Sequence, residues 1–406
     1  MASTTTDGAK NELKAAFEIV NEDNVFHCAA HNIQLVINDV MDPKKANPPP
    51  TCAPHREIVR KCHGLVIFIN NHKDTHSVFL SLAKAKIAGP EGQHMFQALI
   101  EDVVTRWDSE LAMMERLYYF DSEIMDLCRQ EDLKIPGDLP LTRFEFDLMR
   151  AMCLVLIPFR IFTKFVQNKA IVTLAYLPKK IDDLVSHLRP GSFAARLQGC
   201  AEGVLEQIEA FQLCLVASIR QRFAYLFEAE SLALAARMFL PGRELELFTF
   251  ANFPLAEGVL DQVKENLISA DYCALLPEDM PNDKKDKKCK TASSIFNDAR
   301  DELDEAPEDV DPLEWWPAHS DFSLLYPLAK MLLQIPASSA ENERSFSSAS
   351  FVLDERRTRL DLDNFRREHR IRRYLCAHGP KEKLNISNNL IQRYSDRLYA
   401  IREGNQ

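Results

Sequence analysis

The chain has 406 residues, a formal net charge of −11 and a hydrophobic content of 46%, values that suit a soluble globular protein of two to three domains. No apolar run reaches the roughly 18 residues that span a bilayer, and the first ten residues hold no apolar signal segment, so we expect no membrane partner and no secretory signal. The ten cysteines are scattered without framework spacing, which indicates reduced thiols in the nucleus or cytoplasm.

The first fifty residues mix helical and β-prone patterns. Asp7–Val20 has the spacing of a helix, Asn24–Cys28 is a short β-prone run, and His31–Val40 places apolar residues at helical spacing. The proline-rich run Asp42–Pro54 then predicts a break in the regular structure.

Apolar residues recur at gaps of three and four through the middle of the chain, from Met113 to Ile219. This spacing predicts an all-α block whose apolar stripes pack on one another as a core. Pro158 stands inside one of these predicted helices and is expected to kink it. Because the block has apolar stripes of its own, we expect it to fold independently of the first forty residues.

Residues 281–311 carry opposite charges in two blocks. Five lysines within residues 284–290 precede eight acidic residues within residues 298–311. This pattern is typical of a solvated, flexible linker. The lysine cluster fits a nuclear import signal and fits an ordinary solvated loop at least as well.

The remainder of the chain has a helical pattern again. Helices are predicted at Tyr326–Ile335 and Ala340–Phe351, separated by Pro336. A basic amphipathic helix is predicted at Leu362–Leu375, and a weaker one at Asn385–Ile401.

Short motifs stand at both ends of the chain. TDGAKN occupies residues 6–11, CAAH occupies residues 28–31, TRWDS occupies residues 105–109, and the longest, IPASSAENERSFS, occupies residues 335–347. They resemble the T-D-N-A, C-x-x-H, T-R-W and carboxy-terminal dimerisation segments of DNA transposases of the hAT superfamily. The first motif has a glycine where the family usually has an asparagine.

The resemblance implies an RNase H-like α/β core that is interrupted by a large all-α insertion, so that the chain is predominantly helical. The core is expected to be incomplete, because its first strands are missing. The implied parts are an N-terminal part of the core (1–45), the all-α insertion (46–280), the charged flexible linker (281–311), the dimerisation region that completes the core (312–378) and a tail helix (379–406).

By resemblance, Asp7 and Glu343 are inherited catalytic carboxylates of a two-metal site that cleaves DNA. Such a site binds Mg²⁺ or Mn²⁺ through carboxylate oxygens. The family has a further carboxylate on an earlier strand, and no residue ahead of Asp7 matches it. We therefore expect an N-terminally truncated copy with weak metal binding, if any, and no catalysis. The alternatives are a helix N-cap for Asp7 and a surface ion pair with an arginine for Glu343.

Two sets of residues are candidates for DNA contact. Trp107 corresponds to a family residue near the cleavage site that stacks on an unpaired base, and the alternative is a half-buried helix residue. Arginines of the basic helix suit phosphate contact, with a solvated face as the alternative. The arginines selected for this role are Arg366, Arg367, Arg370 and Arg373.

The remaining motif residues are assigned structural roles. By resemblance, Cys28, His31 and Arg344 support the region of the active site, and Cys28 and His31 lack the further ligands that structural zinc needs. Apolar residues of the carboxy-terminal region are assigned to dimerisation, with part of the region expected to pack on the core and part on a partner. The assigned residues are Trp315, Trp316, Leu328, Leu332 and Phe346.

The sequence thus predicts a transposase-derived protein that forms a homo-oligomer, at least a dimer, through its C-terminal region. DNA is a further possible partner, and no small-molecule substrate is expected. A nuclear location is expected, with the cytoplasm as the alternative. The rival interpretations are a domesticated chromatin or protein-interaction factor and an active transposase whose N-terminus is missing from the gene model.

Overall fold

The computed structural model describes residues 4–6, 25–42, 44, 49–88, 99, 107–242, 244–268, 292–307, 310–323 and 325–340. All contacts given below lie within the compact unit Met1–Ser339. The predicted helices Asp7–Val20, Leu362–Leu375 and Asn385–Ile401, and nearly all of Ala340–Phe351, lie outside the described residues.

Two short strands pair in parallel near the start of the chain. Strand β1 is Thr4–Thr6 and strand β2 is Val25–His27, with Thr6 opposite His27. The strand predicted at Asn24–Cys28 is confirmed.

Helices make up most of the described chain, as predicted. In chain order they are α1 (Ala29–Met41), α2 (Ala53–Asn71), α3 (Lys73–Ala88), α4 (Trp107–Tyr119), α5 (Asp121–Cys128), α6 (Arg143–Val166), α7 (Leu177–His187), α8 (Val204–Phe223), α9 (Leu232–Arg237), α10 (Glu244–Leu247), α11 (Val259–Ile268), α12 (Ala292–Glu305), α13 (Pro312–Ala318) and α14 (Tyr326–Leu333). Short 3₁₀ turns lie at Pro50–Cys52, Glu131–Leu133, Ala194–Leu197, Ala224–Phe227 and Ser320–Phe322.

Helix α1 lies inside the helical block. Its apolar residues Ile33, Val36, Ile37 and Val40 follow helical spacing and are all buried. They pack on α8 and α6, and also on α2 and α4. The expectation that the block has a core separate from the first forty residues is therefore wrong for α1, which shares one hydrophobic cluster with the block.

The carboxy-terminal end of α1 is held by arginines from two other helices. Arg56 donates to the carbonyl oxygens of Val40 and Asp39 at 2.9 and 2.7 Å. Arg222 of α8 makes two hydrogen bonds of 2.8 Å with the Asp39 carboxylate. The last carbonyl groups of a helix have no partner within it, so Arg56 supplies donors that the helix itself lacks.

The long helix α6 begins with a strong sequence signal. The Thr142 hydroxyl accepts from the Glu145 N–H at 3.2 Å, and the Glu145 carboxylate accepts from the Thr142 N–H at 2.8 Å, a capping box. The helix continues through Pro158 to Val166.

Residues 292–305 correct the predicted linker. They form helix α12, in which Phe296, Ala299 and Leu303 are buried. The buried Arg300 donates to the carbonyl oxygens of Met238, Leu240 and Gly242 at 2.8, 2.9 and 2.8 Å. The linker prediction is wrong here because acidic residues outnumber the apolar residues of this helix. The high charge of the segment hides the helical spacing of its few apolar side chains.

We expect Arg300→Ala to lower the free energy of unfolding by about 3 kcal/mol, because it leaves buried carbonyl oxygens without a donor. Urea unfolding followed by tryptophan fluorescence measures this change. The control is Asp301→Ala, at the exposed next position of the same helix, which should change the free energy by less than about 0.5 kcal/mol. Equal effects of the two substitutions would contradict the placement of α12 in the core.

Candidate functional site

The motif at residues 335–339 is bonded to the start of helix α1. The Ala29 N–H donates to the Ala337 carbonyl oxygen at 2.8 Å, and the Ala337 N–H donates to the Thr173 hydroxyl at 2.9 Å. Ala337 and Thr173 are both buried. The backbone at Ala337 is thereby fixed between the end of β2 and the loop that precedes α7.

The sulfur atom of Cys28 joins the same contact. It accepts a hydrogen bond from the Ser339 N–H at 3.2 Å and donates one to the Ser338 hydroxyl at 3.6 Å. All three residues are buried. Cys28 therefore holds together two motifs that lie 310 residues apart in the sequence.

His31, the other residue of the C-x-x-H motif, lies half-buried in the first turn of α1. Tyr225, which no sequence motif marks, packs its ring edge-on against Phe26 and His27 of β2 at centroid distances of 5.7 and 5.8 Å. Burial raises the pKa of the Tyr225 hydroxyl. Thr173 and Tyr225 belong to no motif, so the sequence offers no signal for their roles.

Trp107 is a residue of the core. Only 4% of it is exposed, and its backbone N–H donates to the Gln34 side chain of α1 at 3.1 Å. Its ring is not presented to solvent for stacking on a base. The arrangement favours the alternative interpretation, a buried helix residue.

The carboxylates Asp7 and Glu343 lie outside the described residues, as do Arg344 and Phe346. The basic residues Arg366, Arg367, Arg370 and Arg373 lie outside them as well. Within the part of the chain that the structure describes, no three His, Cys, Asp or Glu side chains are grouped to hold a metal ion.

Three of the residues assigned to dimerisation are buried within their own chain. Trp315, Trp316 and Leu332 are 6%, 2% and 1% exposed. The Trp316 indole N–H donates to the Phe239 carbonyl oxygen at 3.0 Å, and the Trp315 ring stacks on His319 at 3.9 Å. These side chains build the platform under the region, and they belong to the part of it that packs on the chain's own core.

The apolar residues that stay accessible lie beside this platform. Leu328 and Met331 of α14 are half-buried, and Leu313 of α13 is 37% exposed. Helices α13 and α14 pack against each other. Of the predicted dimerisation residues that the structure describes, Leu328 alone is available to a partner.

No helix among the described residues is long and apolar enough to cross a membrane.

We expect Thr173→Val to lower the free energy of unfolding by about 1–3 kcal/mol, because the buried Ala337 N–H loses its acceptor while the side-chain shape is kept. Thr173→Ser keeps the hydroxyl and is the matched control. Urea unfolding of the two variants measures the difference. A Thr173→Ser variant as unstable as Thr173→Val would show that the lost methyl packing, and not the hydrogen bond, fixes Ala337.

Comparison with known proteins bears on the carboxy-terminal part of this arrangement. Residues 294–367 match the sequence profile of the hAT family C-terminal dimerisation region. No curated protein matches the chain. The matched range begins within α12 and includes α13, α14 and the motif bonded to Cys28. Residues 294–367 are therefore similar to a hAT C-terminal dimerisation region, and this similarity supports a protein of the hAT transposase type.

Proposed function

We propose that this protein is derived from a hAT transposase and self-associates through its C-terminal region, forming at least a dimer. The match of residues 294–367 to the family's dimerisation region is the observation that carries the proposal. Homo-oligomers with closed symmetry are the commonest assemblies of soluble proteins. The partner is therefore a second copy of this chain.

The contact surface is assigned to the outer side of α13 and α14. The buried tryptophans Trp315 and Trp316 fix these helices on the core, so the surface is preformed. Leu313, Leu328 and Met331 leave apolar area accessible beside them. Apolar side chains at the centre of an interface, surrounded by polar ones, are typical of subunit contacts.

The proposal includes descent from a protein with an RNase H-like core. Two observations support it: the parallel pairing of β1 with β2, and the bond from Ala29 to Ala337 that brings the carboxy-terminal motif to the end of β2. Asp7 directly follows β1 in the sequence, and Glu343 belongs to the carboxy-terminal motif of residues 335–347. Mg²⁺ or Mn²⁺ would be the cofactor of any remaining cleavage activity.

DNA binding is part of the proposal only through the arginines of the basic helix that the sequence predicts at Leu362–Leu375. Trp107 offers no ring surface for stacking on a base, because it is buried. A chromatin or protein-interaction factor and an active transposase are the rival functions. The nicking assay described below tests the active transposase.

Light scattering at micromolar concentration should give a mass at least twice the 46.4 kDa of one chain. Leu328→Glu should shift the protein towards the monomer, because it places a charge in an apolar contact. Ile161→Glu is the matched control, since Ile161 is 64% exposed on α6 and lies outside the region. Circular dichroism checks that both variants are folded.

A wild-type protein that stays monomeric up to tens of micromolar would contradict self-association. A dimer that survives Leu328→Glu unchanged would place the contact surface elsewhere on the chain.

The 406-residue chain should not nick duplex DNA above background in Mg²⁺ or Mn²⁺, because only two carboxylates match the family's site and two dications need more negative charge. An assay with supercoiled plasmid measures the nicked form. Glu343→Gln is the control for contaminating nucleases. Nicking by the wild type that disappears in Glu343→Gln would overturn the non-catalytic proposal and favour an active transposase.

A further inference from the structure

A groove of about 610 Å³ lies between the end of α1, the Pro50–Cys52 turn and helix α8. The polar side chains of its wall are hydrogen-bonded to one another. The Asp39 carboxylate accepts from Arg222 at 2.8 Å and from the Ser218 hydroxyl at 2.6 Å. Thr51 and the partly exposed Cys214 line the groove. The Cys214 thiol is therefore the nucleophile that this groove offers to a small solute.

A second cysteine, Cys52, is a neighbour of Cys214. Cys52 is fully buried, in the Pro50–Cys52 turn that packs on α8, and the neighbouring Cys214 raises the pKa of its thiol. The hydroxyl of Thr51 lies 3.3 Å from the Cys214 sulfur, which fixes the turn against α8 at this point. The two cysteines thus form a pair in which Cys214 lines the groove and Cys52 is buried beside it.

The environment of the Cys52 sulfur differs from that of the Cys214 sulfur, and the two atoms therefore have different roles. Burial raises the pKa of Cys52 to about 12, and the neighbouring Cys214 raises it further, while the Arg56 guanidinium lowers it in part. Cys52 therefore stays a protonated thiol at neutral pH. Arg56 is itself buried, and its Nη1 has no hydrogen-bond partner among the described residues. The cation favours negative charge that develops on either sulfur.

We propose that Cys52 and Cys214 are an oxidation site at which hydrogen peroxide forms an intramolecular disulfide. The Cys214 sulfur attacks one oxygen of the peroxide and loses its proton, the O–O bond breaks, and the leaving hydroxide takes up that proton, so that a sulfenic acid and one molecule of water result. The Cys52 sulfur then attacks the Cys214 sulfur, the S–S bond forms, and the hydroxyl leaves as water with the Cys52 proton. Two thiols are oxidised and one peroxide is reduced to two molecules of water.

The position of the pair gives the disulfide a structural consequence. It ties the turn before α2 to α8 and closes a loop that spans most of the helical block. A cross-link between distant residues stabilises a fold mainly by restricting the unfolded chain. The oxidised protein should therefore have a higher Tm than the reduced protein.

The test is peptide mapping of the full chain under non-reducing conditions. The reduced protein is treated with hydrogen peroxide, its remaining thiols are alkylated, and it is digested with trypsin. Cys52 lies on the tryptic peptide 46–56, and Cys214 shares the peptide 197–220 with Cys200. The expected product is a linked pair of these peptides with a mass two hydrogen atoms below their sum.

Cys200→Ser is the matched control, because it removes the other cysteine of the same peptide. The linked peptides should persist in Cys200→Ser and disappear in Cys214→Ser. Dithiothreitol should release them and remove the rise in Tm. This readout in the wild type and in Cys200→Ser stands even if Cys214→Ser fails to fold.

Two results would overturn the proposal. One is a wild-type protein in which peroxide oxidises Cys214 to the sulfinic acid while Cys52 remains alkylated as a free thiol. The other is a linked peptide that is lost in Cys200→Ser, which would assign the bond to Cys200.

Discussion

Helix α1 is the element on which the rest of the described structure depends, because its buried face and both its ends are bonded to distant parts of the chain. Its apolar side packs on α6 and α8. Its first N–H donates to Ala337 near the other end of the described chain. Its last carbonyl groups accept from Arg56. Since buried backbone groups must be paired, each of these bonds fixes the position of a segment that the helix alone would leave free.

Buried arginines perform this pairing at several places in an acidic protein. Arg56 bonds the end of α1, Arg300 bonds the carbonyl groups of residues 238–242, and Arg237 bonds the carbonyl oxygens of Ala175 and Leu247. Burial lowers the pKa of Arg237 to about 10, so its guanidinium still carries its charge at neutral pH. One guanidinium presents five donors in a fixed plane, which lets a single side chain satisfy carbonyl groups from two or three segments.

The described part of the dimerisation region packs against the core of this fold. Helix α12 is held by Arg300, helix α13 by the tryptophan pair, and residues 337–339 by Cys28 and Thr173. The surface proposed for a partner is consequently built on the same core that encloses α1. Self-association and folding are physically coupled, because loss of the platform would also displace Leu328.

The sequence by itself determined the helical class, the strand before α1, the apolar stripes of the middle block and the motifs of both ends. These features depend on local spacing, and local spacing fixes which side of a helix is apolar. The sequence did not determine that α12 is a buried helix, that Trp107, Trp315 and Trp316 face the chain's own core, or that Thr173 receives the Ala337 N–H. An apolar or aromatic side chain can be buried against its own chain or against a partner, and its residue type is the same in both cases. Only the tertiary structure, by bringing residues hundreds of positions apart into contact, decided which surfaces were already occupied and which were left for a second copy.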